Sequence, residues 1–222
     1  MTMPITTSPG RPESRTSSYD RKFEHVLRAG ARVISREGYG QATIRQVAGE
    51  AKMSLAGLYH YFSSKEELLF LIQSHTFETL LERLREKLEP VGDPRERLRI
   101  MVANHLEHFL DRMNELKVCA REMESLRGEY YERVRGLRQE YLRIALGIVE
   151  AIRQDAGGSK IDLRLATLYL FGMLNWIYMW YPRGEEMPEE VLADQLITLF
   201  LDGFLPREAS EESPRKEGKG HV

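Results

Sequence analysis

Apolar residues recur every three to four positions along most of this chain, and period-two alternation is almost absent. Phe23, Val26, Leu27, Ala31, Val33 and Ile34 predict a helix over 19–37. Gly38 closes it as a C-cap, and Gly40 continues the turn. Ile44, Val47 and Ala48 form the inward face of a second helix, 44–51, with Thr43 as its N-cap. Lys52-Met53 makes the next turn, and Ser54 caps a very short third helix over 55–62. Ser63 or Ser64 caps a fourth, 65–88, with Glu66 and Glu67 where the helix dipole favours acids. Pro90-Val91-Gly92 ends it. Pro94 opens a fifth helix, 94–112, which carries Leu98, Met101, Val102, His105 and Phe109 on one face. Helices over 115–126, 129–155, 162–180 and 188–205 follow, with breaks at Gly157-Gly158 and Pro182-Arg183-Gly184. Nine helices without a sheet predict an all-α fold.

The segment 1–18 is rich in Ser, Thr, Pro and Gly and reads as a disordered arm, and 207–222 reads as a disordered tail. Between them the pattern divides into a small head, 19–66, and a larger body, 67–206. Hydrophobic residues make up 42% and charged residues 30%, as in soluble globular proteins. The apolar run 168–181 is interrupted and shorter than the ~20 residues a membrane span needs, so no membrane partner is expected. The first residues lack the apolar core of a secretory signal. The single cysteine, Cys119, rules out an internal disulfide, suits a reducing cytoplasm and reads as packing.

Charge changes the picture more. The net charge of −2 hides an asymmetry: residues 1–65 carry 10 Lys/Arg against 5 Asp/Glu, and 66–222 carry 22 against 29. A basic front on an acidic back fits a nucleic-acid-binding head on a body that avoids DNA. The segment 43–65, TIRQVAGEAKMSLAGLYHYFSSK, reads as two short helices joined by a tight turn. Small residues, phenol hydroxyls and a lysine on such a helix-turn-helix suit a DNA groove better than an enzyme pocket.

These residues resemble the N-terminal signature of the TetR family of bacterial transcriptional repressors. The resemblance runs through Ala29, Gly38-Tyr39, Thr43-Ile44-Arg45-Gln46-Val47-Ala48, Met53-Ser54, Leu58-Tyr59-His60-Tyr61-Phe62 and Lys65-Glu66-Glu67-Leu68. It implies a homodimer whose third helices enter the major grooves of a palindromic operator. Half-sites then lie ~34 Å or somewhat more apart. It also implies an effector held in the body that moves the heads out of register. Tyr59, Tyr61 and Lys65 match phosphate-contacting positions, and Thr43 can donate from hydroxyl and main chain. Arg45 is the base-reading candidate, since its guanidinium fits guanine O6 and N7. Lys52, Ser54, Leu55, Ala56, Gly57 and His60 complete the candidate DNA surface, His60 facing either DNA or solvent. Ala48, Leu58, Phe62 and Leu68 are assigned to the core.

The stretch 168–184 holds Tyr169, Phe171, Trp176, Tyr178, Trp180 and Tyr181. At helical spacing such a stripe is core or oligomer interface. The family arrangement puts the last two long helices across the dimer axis, with Leu165, Leu168, Gly172, Leu192, Leu196, Leu199 and Phe200 as contacts. The segments 171–176 and 180–184 also resemble TetR regulators that govern lipid degradation and respond to acyl-CoA thioesters. That resemblance makes an acyl-CoA or another lipophile the expected effector, with no cofactor. Phe77, Leu81, His105, Phe109, Met113, Met123, Tyr130, Tyr141, Phe171, Asn175, Trp176 and Arg183 are the candidate pocket residues. Asn175 in an apolar helix needs a polar partner, from ligand or main chain, and Arg183 is placed to meet a CoA phosphate or solvent.

Nothing in the sequence carries catalytic spacing: CxxC, HExxH, GxSxG and P-loop patterns are absent. His105, His108, Glu107 and Asp111 read as solvated helix residues rather than metal ligands, and Glu122 and Glu124 as a charged face. The chain is therefore expected to be a cytoplasmic DNA-binding regulator and not an enzyme. A ligand-binding interaction protein without DNA function is the competing class.

Overall fold

The computed structural model describes residues 18–181 and 187–205, and all regular structure among them is helical. The head comprises α1 (Ser18–Glu37), α2 (Ile44–Ala51) and α3 (Leu55–Leu58), and α4 (Lys65–Leu88) leads into the body. The body adds α5 (Pro94–Leu110), α6 (Met113–Arg121), a 3-10 turn (Met123–Ser125), α7 (Gly128–Asp155), α8 (Leu163–Asn175), α9 (Ile177–Trp180) and α10 (Glu189–Phe204). Of the predicted arm 1–18, residue Ser18 begins α1 and 1–17 lie outside the described residues, as do the predicted tail 207–222 and the loop residues Pro182, Arg183 and Gly184.

Three predicted elements differ from those observed. The third helix stops at Leu58, because the Tyr61 N–H bonds back to the Leu58 carbonyl and tightens the chain into a turn. The sixth ends at Arg121 and gives way to the 3-10 turn, where Leu126 N–H reaches the Met123 carbonyl. The eighth is interrupted at Trp176, whose ψ of −8° leaves Met179 N–H bonded to the Trp176 carbonyl in place of the α-helical partner.

The head is held by local chemistry at every corner. Thr43 and Gln46 form a capping box: Thr43 Oγ1 accepts from the Gln46 N–H, and Gln46 Oε1 accepts from the Thr43 N–H. Lys52 adopts φ 53° and ψ 42°, a left-handed C-cap whose N–H reaches the Ala48 and Gly49 carbonyls. A non-glycine residue there costs on the order of 1 kcal/mol, which the packing on either side offsets. Ser54 and Ser64 cap α3 and α4 through Gly57 and Glu67 N–H groups. Gly30 keeps the α1–α4 crossing close: a Cβ would meet Leu68 and Ile72 methyls at 3.1 Å, so those side chains would have to give by a few tenths of an ångström.

Two apolar clusters result. One fills the head and contains Val26, Ile34, Val47, Leu58, Phe62 and Leu69. The other fills the body along α4, α5, α7, α8 and α10. Helix α6 joins them, because Val118 belongs to the head cluster while Leu116 and Cys119 belong to the body cluster.

Candidate DNA surface and effector cavity

On the head, Arg45, Lys52, Ser54, Leu55, Ala56, Tyr59 and His60 are exposed around the second and third helices. Arg45 and Lys52 carry no ion pair among the described residues. Tyr59 is 53% exposed, so its hydroxyl is available to a phosphate. Gly57 is half-buried, and a Cβ there would crowd Ser54 Oγ at 3.2 Å. Its hydrogen atoms are thus needed by the Ser54 cap as much as by any close approach of DNA.

Three candidate contacts are placed differently from expectation. Lys65 does not offer its ammonium to solvent. Nζ donates to the carbonyls of Tyr39, Gly40 and Ala42 at 2.9, 3.2 and 3.0 Å and lies 4.6 Å from the Tyr39 ring centroid. An ammonium has three donors, and all three are engaged in tying the turn after α1 to the start of α4. Thr43 directs both of its donors at Gln46 Oε1, so it caps rather than reaches outward. The Tyr61 ring packs 5.4 Å from Tyr19 and 6.4 Å from Phe23 of α1, which makes it the packing member of the tyrosine pair.

In the body, α4, α5, α6, α7 and α8 enclose a cavity of about 370 Å³. Phe77, His105, Phe109, Met123, Tyr141, Phe171 and Asn175 line it, as the sequence suggested. Leu81 does not, being buried in the core, and Met113 packs against that core from the side. Tyr130 stacks on Phe70 at 4.4 Å, and Trp176, at the α8–α9 break, is 56% exposed. Sequence reasoning missed Leu116, Cys119 and Ala120 on α6, Tyr131, Arg135, Arg138, Gln139 and Leu142 on α7, and Leu168 on α8, which it assigned to the dimer face alone. The α7 signal was present: positions 131, 135, 138 and 142 share one helical face.

The cavity grades from basic and open to neutral and closed. Arg135 and Gln139 are exposed at one side. Arg138 is half-buried and donates from Nη1 to the Cys119 carbonyl at 2.7 Å. At the other extreme His105 and Tyr141 are buried, with His105 Nδ1 3.2 Å from the Tyr141 hydroxyl. Burial lowers the His105 pKa to about 3, so the ring is neutral, and burial raises the Tyr141 hydroxyl. Burial likewise pushes the Cys119 thiol up to about 12, so it acts as an inert wall. His105 and His108 are therefore not the solvated residues their helical spacing suggested: each retains only 2% exposure. Among the described residues no group of three or more His, Cys, Asp and Glu is arranged to hold a metal.

The residues expected at the dimer face divide by exposure. Leu165, Leu168 and Leu199 are 48%, 43% and 67% exposed, and Gly172 is open. Leu192, Leu196 and Phe200 instead point into their own core at 6–8% exposure, because α10 turns that face toward α5. Tyr169, Trp176 and Val191 are exposed apolar residues on the same elements. No helix among the described residues is long and apolar enough to cross a membrane.

Helix α6 connects the cavity with the head. Leu116, Cys119 and Ala120 form cavity wall, while Asn114 Oδ1 accepts from Ser35 Oγ of α1 at 2.7 Å. Just beyond α6, Glu122 Oε1 accepts from the Tyr39 N–H at 3.3 Å. The body thus grips the head through an element whose other face lines the cavity.

Similarity to known proteins agrees with this arrangement. Residues 26–72 match the family described as "Bacterial regulatory proteins, tetR family", and residues 91–204 match "Tetracyclin repressor-like, C-terminal domain". The chain is 23% identical over 185 residues to the fatty acid metabolism regulator protein of Bacillus subtilis (strain 168), covering 82% of this chain and 95% of that protein. It is 25% identical over 195 residues to the HTH-type transcriptional repressor KstR2 of Rhodococcus jostii (strain RHA1), covering 87% and 96%. Its fold matches that of AibR, solved in complex with isovaleryl coenzyme A and operator DNA, with a TM-score of 0.70 at 23% identity over 80% of this chain and 97% of that one. Head and body are each accounted for, and the chain belongs to the tetR family of bacterial regulatory proteins, DNA-binding regulators of transcription.

Proposed function

We propose that two copies of this chain bind a palindromic operator as a cytoplasmic repressor and release it when an acyl-CoA thioester enters the body. The single observation that carries the effector reading is the cavity: a largely apolar chamber of about 370 Å³ whose lining includes the exposed Arg135 and the half-buried Arg138. That volume is at the small end for ligand pockets, which run ~300–1,000 Å³. It accommodates an acyl chain, while the nucleotide part of CoA stays outside, near the arginines, where guanidinium meets phosphate well. The relatives point the same way, one being named for fatty acid metabolism and another solved with a CoA thioester.

The switch follows from α6. A ligand pressing on Leu116, Cys119 and Ala120 bears on the helix whose Val118 lies in the head core and whose Asn114 holds Ser35. Because the cores are close-packed, a shift of α6 moves the head as a body. Two heads joined through the exposed face of α8 and α10, with Leu165, Leu168 and Leu199 at the seam, then no longer match both half-sites. The effector releases DNA only through its higher affinity for the shifted state. Tyr59 and Arg45 are the DNA contacts on which the reading relies most, with Lys52, Leu55, Ala56 and His60 alongside.

A gel shift on the DNA upstream of the protein's own gene tests both halves. Binding should weaken steeply with salt, fall on Arg45→Ala and Tyr59→Phe, and be reversed by acyl-CoAs that raise the melting temperature. A second reading, a sensor of lipophilic drugs, draws on the aromatic wall of Phe77, Phe109 and Phe171. Two arginines at the opening disfavour cationic lipophiles. A melting temperature raised by such cations and by no thioester would reverse the choice of effector. No shift with any operator-like palindrome would remove the DNA function.

A further inference from the structure

Beside the third helix the head carries a second concavity. Tyr19, Lys22 and His25 of α1 line it together with Gly57, His60 and Tyr61, in and just after α3. It is an open groove of about 570 Å³. Gly57 and His60 also belong to the candidate DNA surface, so the groove continues that surface from the third helix onto the first. Its lining holds one lysine, two histidines and two tyrosines, and no carboxylate. Glu24, two positions from Lys22, turns to another side of α1, where it lies 3.9 Å from His75 of α4. His25 is already engaged: Nε2 is 3.0 Å from the Ala51 carbonyl, which can only accept, so that nitrogen donates. Lys22 and His60 are exposed and make no hydrogen bond or ion pair among the described residues. The hydroxyl of Tyr19, a residue 56% exposed, has no partner among them either, and its ring sits 5.4 Å from that of Tyr61. Uncommitted donors around an apolar floor of rings, with no acid to neutralise the lysine, complement a sugar–phosphate chain.

We propose that this groove seats a phosphate of the operator backbone, held by the Lys22 ammonium and the Tyr19 hydroxyl, on a strand that borders the major groove entered by α3. This rests on the operator-binding reading above and adds α1 to its contacts. The major groove is ~12 Å wide, so a helix within it has a sugar–phosphate strand on either side. The α1 wall of the protein groove is where one of those strands runs when α3 is inserted. A phosphate contact carries no sequence information and fixes the position of the element that makes it. Here that element is also held by the body. Ser35 Oγ, near the far end of α1, donates to Asn114 Oδ1 of α6 at 2.7 Å. A helix of 20 residues spans ~30 Å, so α1 joins a DNA phosphate at one end to the helix lining the effector cavity at the other. A displacement of α6 is then felt at Lys22 as well as at the third helix.

Fluorescence anisotropy on the full chain tests this with the duplex upstream of the protein's own gene. A series of the same duplex carries an uncharged methylphosphonate in place of one symmetric pair of phosphates at a time. The expected result is one pair, bordering the half-sites, whose replacement weakens wild-type binding about tenfold, from two exposed charge-assisted contacts. Lys22→Ala should weaken binding to the unmodified duplex by about the same factor and be indifferent to replacement of that pair. It should also reduce the slope of log K against log salt by ~0.9 for each head. Tyr19→Phe keeps the ring and should cost about threefold; an unchanged affinity there would strike the hydroxyl from the seat. Unaltered affinity and salt slope in Lys22→Ala overturn the inference and leave the repressor reading standing. Weakened binding that keeps the wild-type sensitivity at every phosphate pair overturns it too, since Lys22 would then act only through overall charge. A wild-type protein that binds no such duplex removes both.

Discussion

The head and the body of this protein are stabilised by different means. In the head every turn has a specific chemical fastening: the Thr43–Gln46 box, the left-handed Lys52, the serine caps and the Lys65 tie to three carbonyls. In the body, long helices pack by apolar area, and several buried polar atoms, those of His105 and His108 among them, lack a hydrogen-bond partner among the described residues. A surface that must present a fixed helix to DNA needs many local constraints. A container that must admit a ligand needs walls with one side open.

The largest test of that difference is a pair of truncations. Leu58→Ala deletes a fully buried side chain of the head cluster. It should cost about 2–5 kcal/mol and abolish operator binding. Phe171→Ala removes a larger ring that already borders the cavity. The wall there has fewer contacts to lose, so this variant should cost less than Leu58→Ala. Urea titrations of both variants decide the matter. A Phe171→Ala loss equal to or above that of Leu58→Ala would erase the distinction between constrained head and open body.

Acid should separate the regions next. Burial, the largest cause for both, lowers the pKa of His105 and His108 from 6.5 to about 3, with Arg112 and Arg83 adding to the effect at His108. Facing this pair are His75 of α4, which burial also lowers, and Glu115 of α6, which burial raises. Between pH 6.5 and 3 the unfolded chain binds protons at these imidazoles that the folded chain refuses. Stability is therefore unaffected by them above pH 6.5 and falls as pH drops below it, by up to ~1.4 kcal/mol per pH unit for each ring. His105→Phe combined with His108→Phe should flatten the decline between pH 6.5 and 5. Identical acid slopes in wild type and double variant would show that the rings are accessible to protons in the folded state.

The same contrast explains what was legible in the sequence. Helix spans such as 44–51 and 65–88 were readable to the residue, because Thr43, Ser64 and their partners three positions on declare the ends. The break at Trp176 was not, since nothing in an aromatic run marks where α-helical bonding yields to a tighter turn. Phe77, Phe109 and Phe171, which line the cavity, were named from the family resemblance. Arg135 and Arg138 were not, because an arginine on a helix face looks the same whether it borders solvent or a cavity. Leu192, Leu196 and Phe200 were assigned to the wrong face of α10. An amphipathic stripe shows that a surface is buried without showing whether its own chain or a second copy buries it.

Lys65 gives a middle-sized effect that distinguishes fastening from contact. Its family position suggests a phosphate, but its three donors are directed at Tyr39, Gly40 and Ala42. Lys65→Ala should lower stability by about 2 kcal/mol, as expected for losing charge-assisted bonds to partly buried carbonyls. Operator affinity measured well below the melting temperature should keep its wild-type salt dependence. A phosphate contact would reduce the slope of log K against log salt by ~0.9. A reduced slope with unchanged stability would return Lys65 to the DNA interface.

Arg135 is the opposite kind of cation, and it should give the smallest change in stability. It is exposed, and its one ion pair among the described residues, with Glu132 at 2.5 Å, is between neighbours three positions apart on α7. Such surface pairs contribute ~0–1 kcal/mol, so Arg135→Ala should melt within a degree or two of wild type. Its guanidinium nevertheless lines the cavity, 5.9 Å from the Tyr131 ring centroid. If a CoA phosphate binds there, Arg135→Ala should raise the acyl-CoA concentration needed to release operator by about fivefold, and added salt should narrow the gap. Binding of an unesterified acyl analogue should be indifferent to the change. An unaltered response to acyl-CoA would mean that the nucleotide leaves the cavity by another side, and that the basic stripe on α7 belongs to the surface alone.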